Sequence, residues 1–329
     1  MMGLTKWVFL VLIIIQFILG MLGNGFIGLV NGISWFKNKR LSLLDFIITL
    51  LALSRIIILC ILLTDEILLL FFYKTRENAI VMQFIDIFWT FANHLSIWFA
   101  TCLSVFYCLK IANFSSPTFL WFKWRVSRIV VGMLLGAVLL SCASTMSLIH
   151  EFKVHALTSG ISHAGNASEH FKMKNIYKLV HILANLWDLP PLIVSLVSYF
   201  LLFLSLGRHI RQMQHICSSP RDTTSEAHKK VIKTTLSFFF LFLLYYISFL
   251  IAYSSSFLPG AEMTEMVGDI IIMFYPAGHS VILIMGNNKL KQTFVEIWCK
   301  LGPQKAGSKR SIILSMGRGW NRYPETPLD

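Results

Sequence analysis

The sequence predicts an all-α membrane protein, a bundle of seven transmembrane helices with its N-terminus outside the cell. Three observations predict this. The chain of 329 residues is 56% hydrophobic and only 14% charged, with a mean hydropathy of +0.67. A soluble domain keeps about a quarter of its residues charged, so this chain has too little polar surface to wet a globule, and its apolar residues must face lipid. Seven apolar stretches, at about 8–34, 41–72, 79–111, 127–149, 177–206, 231–257 and 264–287, are each long enough to span a bilayer. Finally, Lys and Arg gather in every second connection.

That alternation orients the chain. Of the 29 Lys and Arg residues, 21 lie in the alternate segments that hold Lys37–Arg40, Lys110–Arg128, Arg208–Lys233 and the tail. Seven lie in the opposite set and one, Arg55, inside a span. With six acids on the richer side and ten on the other, the two sides carry net charges of +15 and −3. Basic loops stay in the cytoplasm. A nucleic-acid surface would not alternate in this way, so the formal charge of +13 does not indicate a nucleic-acid partner.

The first span resembles a signal peptide, but its apolar run is too long and lacks a small-residue cleavage site, and the basic cluster Lys37–Arg40 closes it. It is read as a retained helix. Within it, Gly23-Asn24-Gly25-Phe26-Ile27-Gly28 matches a dinucleotide fingerprint, yet no strand precedes it and no ribose-binding acid follows in context. Its glycines, with the small-xxx-small pairs Gly28/Gly32 and Gly132/Gly136, are read as helix-packing positions. Arg55 in the second span must face the bundle interior, because an unpaired Arg at mid-membrane costs at least about 2.5 kcal/mol. Asn24 and either Ser280 or the backbone of the seventh helix lie at similar depth, so a polar network joining helices 1, 2 and 7 is expected. Stability and switching are both open as its role.

In the third span Trp89 and Asn93 are four residues apart and share a face. They can offer a stacking surface and an amide to a small ligand, or serve as an interface Trp and a helix-bridging Asn. Asp269 in the outer half of the seventh span can pair a cationic ligand or snorkel to the surface. Asn166-Ala167-Ser168, in the long outer segment 150–175, is a glycosylation sequon with the right topology, whereas Asn113-Phe114-Ser115 lies in a cytoplasmic loop. The long cytoplasmic segment is 207–230.

After the seventh span, Leu290, Phe294, Ile297, Trp298 and Leu301 recur at helical spacing among lysines, which suits a short helix on the inner membrane face. Residues 1–301 thus form one seven-span membrane unit with its short amphipathic helix, and 302–329 a basic, turn-rich tail without expected structure. Of six cysteines, four lie in spans and two on the cytoplasmic side, so no structural disulfide is expected. Cys299 fits either a buried thiol or an inner-face palmitoylation site. No metal-ligand spacing is present, and the outer-loop histidines His150, His155, His163 and His170 read as solvated residues.

Several segments together resemble the bitter taste receptor family (taste receptor type 2). They are Asn93-His94-Leu95-Ser96-Ile97-Trp98-Phe99-Ala100-Thr101-Cys102-Leu103-Ser104-Val105-Phe106-Tyr107-Cys108-Leu109-Lys110 in the third span and Leu51-Ala52-Leu53-Ser54-Arg55 in the second. Tyr275-Pro276-Ala277-Gly278-His279-Ser280 in the seventh and His209-Ile210-Arg211-Gln212-Met213 after the fifth complete the set. The resemblance spans residues 1 to about 300. It implies a G-protein-coupled receptor in the plasma membrane, activated by small bitter molecules and coupled to a gustducin-type heterotrimeric G protein. It places Trp89, Asn93, Tyr245 and Asp269 at agonist-contacting positions, with Asp269 a shorter acid than the Glu many members have. It groups Tyr275, Pro276 and His279 with Asn24, Arg55 and Ser280 as intramembrane packing and switch positions. Tyr107, Lys110, His209, Gln212 and Met213 would face the G protein, and Asn166 would carry the glycan. The lack of a cysteine that could link helix 3 to the outer loop and the proline-free sixth span agree with this family and not with rhodopsin-like receptors. The segment Ser311–Asp329 has no recognised counterpart.

Three rivals are weighed against this reading. A transporter commonly carries inverted repeats and broken helices, and an odd span number without repeats opposes one. An enzyme would need clustered acids, ligands or a nucleophile that the spans lack. A vomeronasal-type pheromone receptor is the nearest rival, and the helix 3 and helix 7 motifs oppose it. The reading invokes no cofactor.

Overall fold

The computed structural model describes residues 2–76, 78–161, 185–216, 233–234, 236–248, 251 and 261–301. The described residues are helical almost throughout: α1 Met2–Asn38, α2 Leu43–Phe71, α3 Tyr73–Arg76, α4 Ala79–Ile111, α5 Pro117–Trp124, α6 Val126–Ile161, α7 Leu189–Ile216, α8 Leu236–Ser248, α9 Ala261–Gly286 and α10 Asn288–Leu301. Five spans are long and apolar enough to cross a bilayer: Trp7–Asn38, Leu43–Phe71, Ala79–Ile111, Val126–Lys153 and Leu189–Arg208. Ile270–Gly286 adds a sixth when joined with the helix after it, and α8 is the described part of the remaining apolar stretch.

Local chemistry sets the helix boundaries. Ser42 caps α2 by accepting the Asp45 N–H at 3.1 Å, and Asp45 then sits favourably in the positive first turn. Asn78 caps α4 through the Ile80 N–H at 3.0 Å. Pro117 begins α5, where its missing N–H is no loss. After Gly286 the chain turns by 95° into α10, whose Leu290 is buried while Phe294, Ile297 and Trp298 are exposed. An apolar stripe emerging beside the bundle at a right angle to the last span is the geometry of a helix lying on the inner leaflet. Lys289 fastens its start, donating to Asn31 Oδ1 at 3.1 Å and Asp45 Oδ2 at 3.2 Å. Lys289 is about one-third exposed, so Lys289→Ala is expected to cost under ~1 kcal/mol in thermal unfolding in detergent.

The third span, α4, is the axis of the bundle. It packs against α2, α6 and α7, and 72% of its apolar window is buried against 28–44% for the other spans. The remaining spans present their Leu, Ile and Phe side chains outward, as at Leu29, Phe36 and Leu139. The side chains that face inward on α4 include Asn93, His94, Ser96, Thr101 and Ser104, so the centre of the molecule is unusually polar. Thr101 illustrates how that polarity is used, with its Oγ1 2.8 Å from Ser195 Oγ and 3.2 Å from the Pro191 carbonyl of α7.

Three expectations need correction. The apolar run expected from about residue 177 to 206 is not one continuous helix: a 3-10 turn at Asn185–Asp188 precedes the described fifth helix, which begins at Leu189. Pro190 and Pro191 lack N–H groups and fit a helix only in its first turn, which fixes the start. The fourth helix continues to Ile161, well past residue 149, because a proline-free segment whose first Gly is at 160 can extend a helix beyond the lipid. Gly25, Gly28, Gly32, Gly132 and Gly136 are not close-packing positions, since a Cβ there would meet open space. Of the expected positions only Gly23 is a close approach, where an added Cβ would clash with Ser280 Oγ; a second falls at Gly20, where it would lie 2.6 Å from Leu59 Cδ1.

Candidate functional site

The outer half of the bundle brings together three of the four residues expected to meet a ligand. Tyr245 of α8 donates its hydroxyl proton to Asn93 Oδ1 of α4 at 2.6 Å, and both residues are buried. Trp89, one turn outward on α4, packs partly buried against the cluster of Ile97, Tyr245, Ile272 and Tyr275. Asn93 keeps its amide N–H groups without a hydrogen bond among the described residues. The corner therefore offers an aromatic face and an amide donor on α4 and a phenol on α8, a combination suited to a small and largely apolar ligand. Asp269 lies on α9, and its side chain falls outside the described residues.

A second polar group, which the sequence reading did not single out, sits behind the first. His94 Nδ1 is 2.9 Å from Ser141 Oγ of α6, and His94 Nε2 is 3.1 Å from the Trp187 carbonyl. A carbonyl only accepts, so Nε2 carries the hydrogen. Tyr246 donates to the Asp188 carbonyl at 3.1 Å. The 3-10 turn before α7 is thus held by α4 on one side and α8 on the other. A polar residue next to a prolyl pair at the head of an apolar run was the available signal, and it was not followed.

Deeper in the bundle the rings run in series. Tyr245 and Tyr275 centroids are 4.8 Å apart, Tyr275 and His279 5.6 Å, and His279 and Phe238 4.5 Å. Phe238 then stacks with Tyr107 at 6.5 Å and 18°. The fully buried Arg55 places its guanidinium 4.8 Å from the Tyr275 ring centre, a cation–π contact. Its three nitrogens have no hydrogen-bond partner among the described residues. Asn24 spends both amide hydrogens well, on the Gly20 carbonyl at 2.8 Å and the Pro276 carbonyl at 3.2 Å. Ser280 bonds its own helix at the Ala277 carbonyl, 2.7 Å away. Helices 1 and 7 are therefore joined by Asn24, and helices 2 and 7 by Arg55 and Tyr275; Arg55 bonds neither Asn24 nor Ser280.

At the inner end, Tyr107 is half-buried against Phe238 and Lys110 is exposed. His209, Gln212 and Met213 lie on the inner extension of α7, with side chains outside the described residues. Asn113 of the following loop donates its backbone N–H to Ser205 Oγ of α7 at 2.8 Å, which anchors that loop. Asn166 and the tail 302–329 lie outside the described residues.

The chain matches the family model for taste receptor protein (TAS2R) over residues 1–302. It is 63% identical over 314 residues to taste receptor type 2 member 3 of Papio hamadryas, covering 95% of this chain and all of that protein. Against the Homo sapiens protein of the same name it is 62% identical over 315 residues, covering 95% of this chain and all of the relative. For the Rattus norvegicus protein the identity is 54% over 312 residues, with 94% and 99% of the two chains covered.

Proposed function

This chain belongs to the taste receptor type 2 family and is a multi-pass, G-protein-coupled bitter taste receptor, and on that premise we propose that its agonists seat against Trp89, Asn93 and Tyr245 in the outer half of the bundle. The observation that supports this is the 2.6 Å hydrogen bond from Tyr245 to Asn93, because it makes the same pair both a ligand surface and a latch between helices 3 and 6. A ligand group that bonds Asn93 competes with the Tyr245 hydroxyl. Freed from Asn93, Tyr245 shifts against Tyr275, and the contact passes through His279 and Phe238 to Tyr107 at the inner end. A receptor needs two packings of its bundle that a ligand can bias, and stacked rings with no direct bond between them can supply two. The inner partner is a gustducin-type heterotrimeric G protein, which Lys110, His209, Gln212 and Met213 would meet beside Tyr107. Asp269 is a further agonist contact, Asn166 carries the outer glycan, and the exposed Leu, Ile and Phe side chains of the spans contact membrane lipid.

The test is calcium release in cells that express the chain with a promiscuous taste-type G protein, screened with bitter compounds. Trp89→Ala is expected to raise the half-maximal concentration of most hits by roughly tenfold or more, as loss of a buried aromatic anchor does. Asn93→Ala should do the same and also raise the unstimulated signal, since the latch is gone. Unchanged potency for both variants across all hits would remove this pocket.

A further inference from the structure

We propose that Asp188, buried at the head of the fifth span, is the acidic anchor that pairs the cationic group of a charged agonist. The inference rests on the agonist site described above and adds a chemical class to it. Asp188 is only 7% exposed, and a buried carboxyl normally has a counter-charge or several hydrogen bonds. Among the described residues no Lys or Arg lies within ion-pair distance of it. Among those residues its nearest basic group is His94 Nε2, 3.9 Å from Oδ1, and that nitrogen already donates to the Trp187 carbonyl.

Its ordinary structural use is also closed. An Asp directly before a helix accepts hydrogen bonds from the second and third helical residues. Here those residues are Pro190 and Pro191, which have no N–H to give. What holds the turn is its backbone: the Trp187 carbonyl takes His94 and the Asp188 carbonyl takes Tyr246. Among the described residues the carboxyl itself meets only the 3.9 Å approach of His94 Nε2, and its main chain fixes it in place.

Its position suits a ligand. His94 follows Asn93 on α4, and Tyr246 follows Tyr245 on α8, so the residues that grip the turn are chain neighbours of the residues proposed to grip the agonist. An ammonium beside Asp188 would find a carboxyl with no Lys or Arg partner among the described residues, next to Tyr246, whose hydroxyl donates to the Asp188 carbonyl and whose ring can add cation–π contact.

The experiment uses the full chain in the calcium assay, with pairs of bitter compounds matched in shape, one a quaternary ammonium or tertiary amine and the other its uncharged carbon or amide counterpart. Surface level is read in parallel by an epitope tag. Asp188→Asn is expected to weaken the cationic member of each active pair by roughly tenfold or more, as truncating one partner of a buried charge pair does, and to leave the neutral member within a few-fold. Asp188→Glu, which keeps the charge, should retain most of the cationic response. The proposal is overturned if Asp188→Asn shifts both members equally, if it shifts neither, or if no cationic compound activates the wild type. It is also overturned if Asp188→Asn and Asp188→Glu are both absent from the surface, since the carboxyl would then be structural. Failure of Trp89→Ala and Asn93→Ala to alter any agonist is a separate result that refutes the pocket itself.

Discussion

Replacing Arg55 with methionine is expected to leave the receptor at the cell surface and to weaken its response to every agonist by roughly tenfold or more. Arg55 is fully buried, and none of its guanidinium nitrogens has a hydrogen-bond partner among the described residues. A charge in that setting costs at least about 2.5 kcal/mol, and its contact with the Tyr275 ring returns up to about 2 kcal/mol. The two terms nearly cancel, so the charge does not stabilise the fold. Exchanging a buried charge for an apolar side chain of similar length is often neutral or stabilising, and methionine fills most of the same volume.

What the variant removes is the cation beneath Tyr275. That ring touches Tyr245 on one side and His279 on the other, and among the described residues it is the step in the series from Asn93 to Tyr107 that a cation holds. Flow cytometry of a tagged receptor and calcium release on the same cells check this. Loss from the surface would make Arg55 a structural residue. A full response at normal surface level would remove it from signalling altogether.

Most of the architecture was legible because lipid is an exacting solvent. Span positions follow from apolar length, and the third and second helices fall within a residue or two of where hydropathy puts them. Boundaries in polar segments were not legible, since Glu151 and Lys153 neither favour nor oppose lipid crossing by a helix that has already left it. The prolyl pair at 190–191 did contain the start of the fifth helix, but its missing N–H groups were outweighed by the apolar run around it. Asn93 and Tyr245 could be nominated singly; their mutual hydrogen bond depends on the rotation of α8 against α4, which no local pattern encodes. The same holds for the glycines. Spacing of four residues marked Gly28 and Gly32, whereas contact is decided by which side of α1 turns to α2 and α9, and that side carries Gly20 and Gly23.

Gly23→Ala is expected to lower surface expression severalfold, and Gly28→Ala to leave it at or slightly above the wild-type level. Helix propensity alone favours both changes by up to about 1 kcal/mol, so the sign at each site depends on space. At Gly28 a methyl group meets nothing within 4 Å. At Gly23 it would overlap Ser280 Oγ and stand 3.1 Å from Ser280 Cβ, a clash that rotating the hydroxyl relieves only in part. Helix 1 must then move off helix 7, at a cost of about 1–3 kcal/mol for overpacking. The same movement lengthens the adjoining bond from Asn24 to the Pro276 carbonyl, already 3.2 Å, and forfeits about 1 kcal/mol more. These losses outweigh the propensity gain. Ser280→Gly removes both obstructing atoms, so the double variant Gly23→Ala/Ser280→Gly should recover most of the lost expression while Ser280→Gly alone changes little. If Gly23→Ala reaches the surface as well as Gly28→Ala does, helices 1 and 7 are not held at this separation and the close approach is not a constraint on the bundle.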